Sequence, residues 1–424
     1  EDFAQLSLEQ LMQVKVTTAS RYTQTTLEAP AVVSVVTAED IRLFGYRTLA
    51  EVLGSLRGLY ISYDRAYHYL GMRGFATPGD YNTRVLLLVN GVRFNDNLYD
   101  QAGIGTDFPL DLDLVDRVEF VPGPGSAVYG ANAFFGVVNV ITRNGRQLAG
   151  PQVSTEVGSH GSAKLRLSVG TVDALGADWL VSATRATTRG ADQRYPAFDT
   201  PENPGGLAQR LDYDRSTQLF VRRAHGGLAL TLAHGERTKG VPTAAFSQVF
   251  NNPRSRFIDQ STLLAAEYAT QLQPTLAFTG RLHAGRYQFV GDYVYDYPPI
   301  TQNRDVGTGQ WWGTEWQWVS TALARARLSA DAAKLEDVKV IFSQQPKVSS
   351  RLHFGCRIAE APDGTLFLTL GDRYHRMADA QTLDNHHGKV VRIRKDGTVP
   401  SDNPFVNRAG ARPEIWSLGH RNVQ

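Results

Sequence analysis

The sequence predicts a mainly β protein in three parts. These are a mixed α/β domain over residues 1–147, a series of long strands over 148–320, and a run of short hairpins over 321–424. Apolar and polar residues alternate along many consecutive segments of the middle part, the period-two pattern of strands with two unlike faces. The dipeptides Asn90-Gly91, Asp363-Gly364 and Asp396-Gly397 punctuate apolar runs, where a tight turn needs residues tolerant of positive φ. The longest apolar run, Val85–Val89, is far short of the roughly 18 residues of a spanning helix. Strands cross a bilayer with only about 9–11 alternating residues, so a membrane β-barrel stays open.

In the first part, residues 31–36 read as a strand. Thr37 then caps a helix, with Asp40 three residues on in a capping-box-like start. A second helix is expected over 48–56, ended by Gly58. Val85–Val89, 115–121 and 137–142 read as further strands. In the middle part Ala163, Leu165, Leu167 and Val169 alternate with Lys164, Arg166 and Ser168. The pattern returns at Leu228, Leu230 and Leu232, at Leu264, Ala266 and Tyr268, and at Leu276, Phe278 and Leu282. It closes on Trp312, Trp316 and Trp318. A sandwich or a barrel fits this pattern, and a soluble all-β domain fits it equally. The aromatics Trp179, Tyr287, Phe289, Tyr293, Tyr295 and Trp311 near strand ends suit the girdles of a lipid-facing barrel. In the last part, the short hairpins suit propeller blades.

Composition narrows the function. With 44 basic against 42 acidic residues and a net charge of +2, no cationic surplus exists to neutralise phosphates, which argues against nucleic acid. One cysteine, Cys356, excludes an internal disulfide framework. The chain opens on Glu1, which leaves room for a removed export signal. Lysine occurs at three positions before residue 320 (Lys15, Lys164, Lys239) and at Lys334, Lys339, Lys347, Lys389 and Lys395 after it, which points to a join there.

Between two strands, Pro122-Gly123-Pro124-Gly125-Ser126 and Gly130 to Gly136 form a loop rich in glycine and small residues. It lacks the Gly-Lys-Ser/Thr end of a phosphate loop, so a tightly packed structural turn is the plain reading. With Glu39-Asp40-Ile41, Leu70-Gly71-Met72-Arg73-Gly74-Phe75, Val85–Val89 and the opening Leu6-Ser7-Leu8-Glu9-Gln10-Leu11, it resembles the plug domain of TonB-dependent outer-membrane receptors. Pro122 stands where that family usually has Arg. The resemblance implies a plug inside a barrel of roughly 22 strands, of which 148–320 supplies a part, embedded in outer-membrane lipid of a Gram-negative bacterium. It implies uptake of a scarce ligand such as a metal chelate or cobalamin. It also implies a TonB-type periplasmic partner that pairs with an extended N-terminal segment by strand addition. Val14, Lys15, Val16, Thr17, Thr18, Ala19 and Ser20 are the candidate coupling segment, although the residues by themselves read first as an ordinary strand.

Near the end stand His353-Phe354-Gly355, Leu370-Gly371-Asp372, Asp402-Asn403-Pro404-Phe405 and Gly419-His420-Arg421-Asn422. Oxidation of an alcohol needs a base for the hydroxyl proton, a group that orients the base, and a cation for the reduced cofactor. On residue types alone, His353 reads as a hydrogen-bonded loop histidine. His386 and His387 are adjacent and diverge, which discounts a metal pair. Residues 321–424 resemble the pyrroloquinoline-quinone-dependent aldose sugar dehydrogenases, of the glucose/sorbosone dehydrogenase family, with a six-bladed β-propeller. Cys356 and Val423 depart from its usual residues. The resemblance implies His353 as general base, Asp372 as its orienting partner, and Arg421 and Asn422 as quinone-binding residues, with calcium, an aldose sugar and a periplasmic setting. The family's calcium and further quinone contacts lie beyond the Arg-Asn pair, so the propeller and its site are expected to be incomplete and inactive.

No linker rich in Gly, Ser or Pro separates the two resemblances, which meet inside residues 318–324. The sequence is therefore read as a chimera whose leading function is ligand uptake. A quinone-dependent sugar dehydrogenase and a soluble β-rich interaction protein are the alternatives.

Overall fold

The computed structural model describes residues 15–16, 18, 24–25, 32–77, 79–273, 276–319, 322–328, 335–346, 353, 355–374 and 376–421. They form two compact units. One holds residues 1–268 and 280–315, the other residues 269–279 and 316–424.

The first unit begins with a five-stranded sheet. Its order is Ser34–Thr37, Val115–Pro122, Gly136–Thr142, Val85–Val89, Val92–Arg93. Val85–Val89 runs parallel to Gly136–Thr142 and is buried on both faces, as a continuous apolar run requires. One face packs Val85, Leu87 and Val89 into the main core, and the other packs Leu86 and Leu88 against Ala133 and Val137. Asn90 and Gly91 both take positive φ, 50° and 79°, and turn the strand onto Val92–Arg93. The first helix is Ala38–Phe44. Thr37 accepts from the Asp40 backbone N–H while the Asp40 carboxylate accepts from the Thr37 N–H, a complete capping box. The second helix, Leu49–Gly54, is shorter than expected. Ser55 already closes it, and Gly58 lies in the turn into the strand Leu59–Tyr63. The glycine-rich loop contains one helical turn, Ser126–Tyr129, between paired strands. Gly136 fits there because an added Cβ would crowd the Val121 carbonyl and the Phe120 ring.

Eight strands follow in sequence order as one sheet: Gly150–Gly158, Ser162–Val172, Asp178–Thr188, Asp214–His225, Leu228–Gly240, Arg256–Gln273, Leu276–Tyr295 and Thr301–Val319. The sheet does not close on itself among the described residues. Long connections (189–213 and 241–255) leave one end, and short ones (173–177 and 226–227) leave the other.

The two faces are inverted relative to a soluble sheet. Leu165, Leu167, Val169, Leu230, Leu264 and Trp312 point away from the first domain and are exposed, Leu167 by 51% and Trp312 by 79%. Between them Arg166, Ser168, Ser182 and Thr184 point inward and are buried. Leu180, Phe220, Ala233 and Leu263 interrupt this inner face and join the plug core. Of the aromatics expected at a lipid girdle, Tyr287, Phe289 and Tyr293 are instead buried on the inner face with Tyr67, Tyr69 and Phe257. Strand parity decides this, because odd-numbered positions of that strand face inward with Tyr287. Trp311 also faces inward, packed against that cluster, while its neighbour Trp312 is exposed.

The second unit has a hairpin, Ala322–Leu328 with Leu335–Ser343, and a four-stranded antiparallel meander. The meander runs Gly355–Glu360, Leu366–Leu370, Lys389–Ile393, Ile415–Leu418. Ile341, Phe342, Leu368, Leu370, Val391 and Ile393 form its core.

Candidate functional site

In the first unit, the polar inner face holds the plug by charge. Asp111 accepts from Lys164 Nζ at 2.9 Å and from Thr184 Oγ1 at 3.1 Å, while its backbone turn is capped by its own carboxylate. Asp113 pairs with Arg166 at 3.2 Å. Thr106 donates to Asp214 at 2.6 Å, and the buried Arg237 donates to Asp214 and to the Ala66 carbonyl. Asp259 accepts from the Tyr67 hydroxyl at 3.0 Å and the Tyr287 hydroxyl at 2.8 Å. Burial and the neighbouring Asp259 hold the Tyr67 phenol protonated, well above its ordinary pKa. At the opposite end, Asp178 accepts from the backbone N–H groups of Gly145 and Arg146, which starts the plug's last helix from the wall. Gly145 lies so close that an added Cβ would strike the Trp179 carbonyl oxygen. Sequence reasoning did not single out these contacts. Their signal was the polar residue at each inward position of an alternating strand.

Within residues 14–20, the candidate coupling segment, Lys15–Val16 pairs with Gln24–Thr25 as a two-residue strand. Thr18 is buried: its backbone N–H and hydroxyl donate to Glu119, and Asn139 donates to its hydroxyl at 3.1 Å. Val14, Thr17, Ala19 and Ser20 lie outside the described residues.

In the second unit, His353 Nδ1 lies 2.6 Å from Asp372 Oδ1. Asp372 is buried, and its carboxylate also accepts from the Tyr374 N–H at 2.8 Å. Its backbone N–H donates to the Arg421 carbonyl at 2.9 Å, so His353, Asp372 and Arg421 come together. Gly371 is required, because an added Cβ would collide with the His353 carbonyl. A carboxylate on Nδ1 fixes the tautomer and leaves Nε2 as the basic nitrogen. Arg421 is exposed, and Asn422 lies outside the described residues.

The paired histidines face different carboxylates. His386 Nε2 meets Glu414 at 2.7 Å, and His387 Nδ1 meets Asp379 at 2.8 Å. Burial lowers the His387 pKa more than Asp379 restores it. Burial also pushes Lys389 down to about 8, with its Nζ donating to the Asp379 and His387 carbonyls.

The first unit is a plug-like domain tied by ion pairs to a strand wall with an apolar exterior. The other unit is β-rich and carries a His–Asp dyad. Residues 25–137 match the TonB-dependent receptor plug domain family, and residues 311–424 match the glucose/sorbosone dehydrogenase family. The vitamin B12 transporter BtuB of Vibrio vulnificus is 31% identical over 201 residues, covering 46% of this chain and 31% of its own. The aldose sugar dehydrogenase YliI of Escherichia coli is 46% identical over 104 residues, covering 24% of this chain and 28% of its own. The unliganded ferric citrate transporter FecA shares the fold of 74% of this chain, with 48% of its own covered, a TM-score of 0.51 and 19% identity. The chain spans about a third or less of the length of the curated relatives it matches. One chain thus carries a stretch that matches the TonB-dependent receptor plug domain and a stretch that matches the glucose/sorbosone dehydrogenases.

Proposed function

We propose that the receptor part takes up a scarce ligand across the outer membrane, driven by a TonB-type periplasmic protein. The carrying observation is the sheet with its apolar row outside and its polar row on the plug, since that inversion stabilises strands only where the outside is lipid. On this reading the short connections face the periplasm and 189–213 and 241–255 face outward. The periplasmic partner adds a strand to the segment around Lys15 and Val16. The ligand is a scarce compound such as a metal chelate or cobalamin. The test is fractionation of the full chain with uptake in a receptor-deficient strain. Outer-membrane recovery and partner-dependent uptake support the reading. Recovery as soluble protein without detergent overturns it.

A second reading rests on the dyad. His353 oriented by Asp372 suits proton removal from a sugar hydroxyl, and the meander suits one propeller blade. Arg421 is the cation that would hold a pyrroloquinoline quinone, which would supply the hydride-accepting chemistry if bound. For calcium, no group of three or more His, Cys, Asp or Glu side chains converges among the described residues. The residues present thus fit the proton-abstracting half of the chemistry. Quinone reconstitution with an aldose and a dye acceptor tests this. Turnover abolished by His353→Ala supports it, and no turnover overturns it.

A further inference from the structure

The outward face of the long sheet carries one depression, away from the plug. Trp179 and Trp312 stand on its outermost strands, with Leu230, Leu264 and Leu282 between them, around a groove of about 570 Å³. Strand pairing explains the shape. Trp179, Arg223, Leu230 and Ala266 lie opposite one another in a single row across four strands. Val221, Leu232 and Leu264 make the next row. Ala266 and Ala284 are short side chains among leucines and tryptophans, so the floor drops at them.

A single cation marks one end of this groove. Arg223 is the only Lys, Arg, Asp or Glu in its lining. It stands two residues before the end of Asp214–His225, beside the short connection 226–227. Its guanidinium lies over the Trp179 ring, 5.4 Å from the centroid. Trp179 is itself pinned, because its Nε1 donates to Asp173 at 2.9 Å. The backbone N–H groups of Leu175 and Ala177 also donate to Asp173, each at 2.9 Å, so this neighbouring carboxylate is filled by other donors. Among the described residues Arg223 enters no ion pair.

A flat row of leucines facing lipid selects no particular neighbour. A groove bounded by two indoles with one cation at its end fits a long apolar body joined to an anion. Arginine suits phosphate, which its planar fork binds while its face stacks on an aromatic ring. Tryptophan on a lipid-facing wall marks the headgroup level. On the uptake reading the short connections face the periplasm, and the membrane leaflet on that side is built of glycerophospholipid rather than lipopolysaccharide.

We propose that this groove binds one anionic glycerophospholipid, with its phosphate on Arg223 beside Trp179 and an acyl chain laid across Leu230, Leu264 and Leu282 toward Trp312. The assignment rests on the outer-membrane reading and adds a specific lipid to it.

The test strips the full chain of lipid in non-ionic detergent and titrates it with dioleoylphosphatidylglycerol, read by native mass spectrometry. Dioleoylglycerol, with the same chains and no phosphate, is the comparison. One phosphatidylglycerol bound saturably per chain is expected, with dioleoylglycerol at least about tenfold weaker. Arg223→Gln is expected to weaken phosphatidylglycerol about tenfold and to leave dioleoylglycerol unchanged. Ala284→Trp, at an exposed outward position, fills the floor of the groove and is expected to weaken both. Unsaturable uptake, equal binding of the two lipids, or binding indifferent to both substitutions overturns the site. Preference for lipopolysaccharide, or a dimer that covers the groove with no lipid bound, also overturns it. Each of these leaves the outer-membrane reading standing, which fails only if the chain is recovered as soluble protein without detergent.

Discussion

Asp111 is almost fully buried between plug and wall, with Lys164, Thr184 and its own turn as partners. Removing one member of such a group leaves the others desolvated without compensation, at about 3–5 kcal/mol. Asp111→Ala is therefore expected to destabilise the first unit by roughly 3 kcal/mol, read as a lower denaturation midpoint and faster proteolysis of the plug. Thr37→Ala removes only a cap and is expected to cost about 1 kcal/mol, seen as faster hydrogen exchange in Ala38–Phe44. The two residues differ in how openly the sequence shows them. The capping box is local, so Thr37 and Asp40 were readable three positions apart. Asp111 meets Lys164 across 53 residues, and nothing local marks that pairing.

At the scale of the strand, outward and inward positions make opposite demands. Leu167 is half exposed, so in a water-soluble sheet Leu167→Arg would be close to neutral. Facing lipid, the same change is expected to cost about 2–4 kcal/mol near the bilayer midplane, measured by refolding into phospholipid vesicles. Neutrality would speak for a soluble sheet. In the meander, burial raises Asp379, but hydrogen bonds from His387 and Arg376 outweigh it and hold the pKa low. Glu414 is likewise kept low by His386 against burial. A carboxylate with a depressed folded pKa contributes stability that is full above its unfolded value of about 4 and is lost as pH falls through the folded one. Exchange protection of Lys389–Ile393 is expected to fall on acidification below about pH 4, with a smaller acid dependence in Glu414→Gln.

For the whole molecule, apolar–polar alternation predicts the middle part as strands, and strands form there. It left open which face meets the first domain, because a period of two fixes two faces without saying which is inside. Tyr287, Phe289 and Tyr293 show the consequence: they were assigned to lipid and lie against the plug. The parity of Trp312 against Trp311 held the answer, but only once one inward residue was known. In the C-terminal segment, motif resemblance named His353 and Asp372 with no contact visible between positions 19 apart, and the structure sets them 2.6 Å from each other. The family matches cover two separate stretches of the chain. Recombinant expression of residues 1–310 is accordingly expected to retain the exchange protection of the plug sheet seen in the full chain, and loss of that protection would show that the halves depend on each other.

The plug meets the wall through two kinds of contact, and they respond differently to a pull. Lys164, Arg166 and Thr184 release their partners into water, which replaces each hydrogen bond at a net cost of only about 0.5–1.5 kcal/mol. Leu180, Phe220, Ala233 and Leu263 have no such substitute, and every increment of separation there opens dry surface. The polar patches act as a release and the apolar patch as a detent, so a steady tug yields a click before a slide.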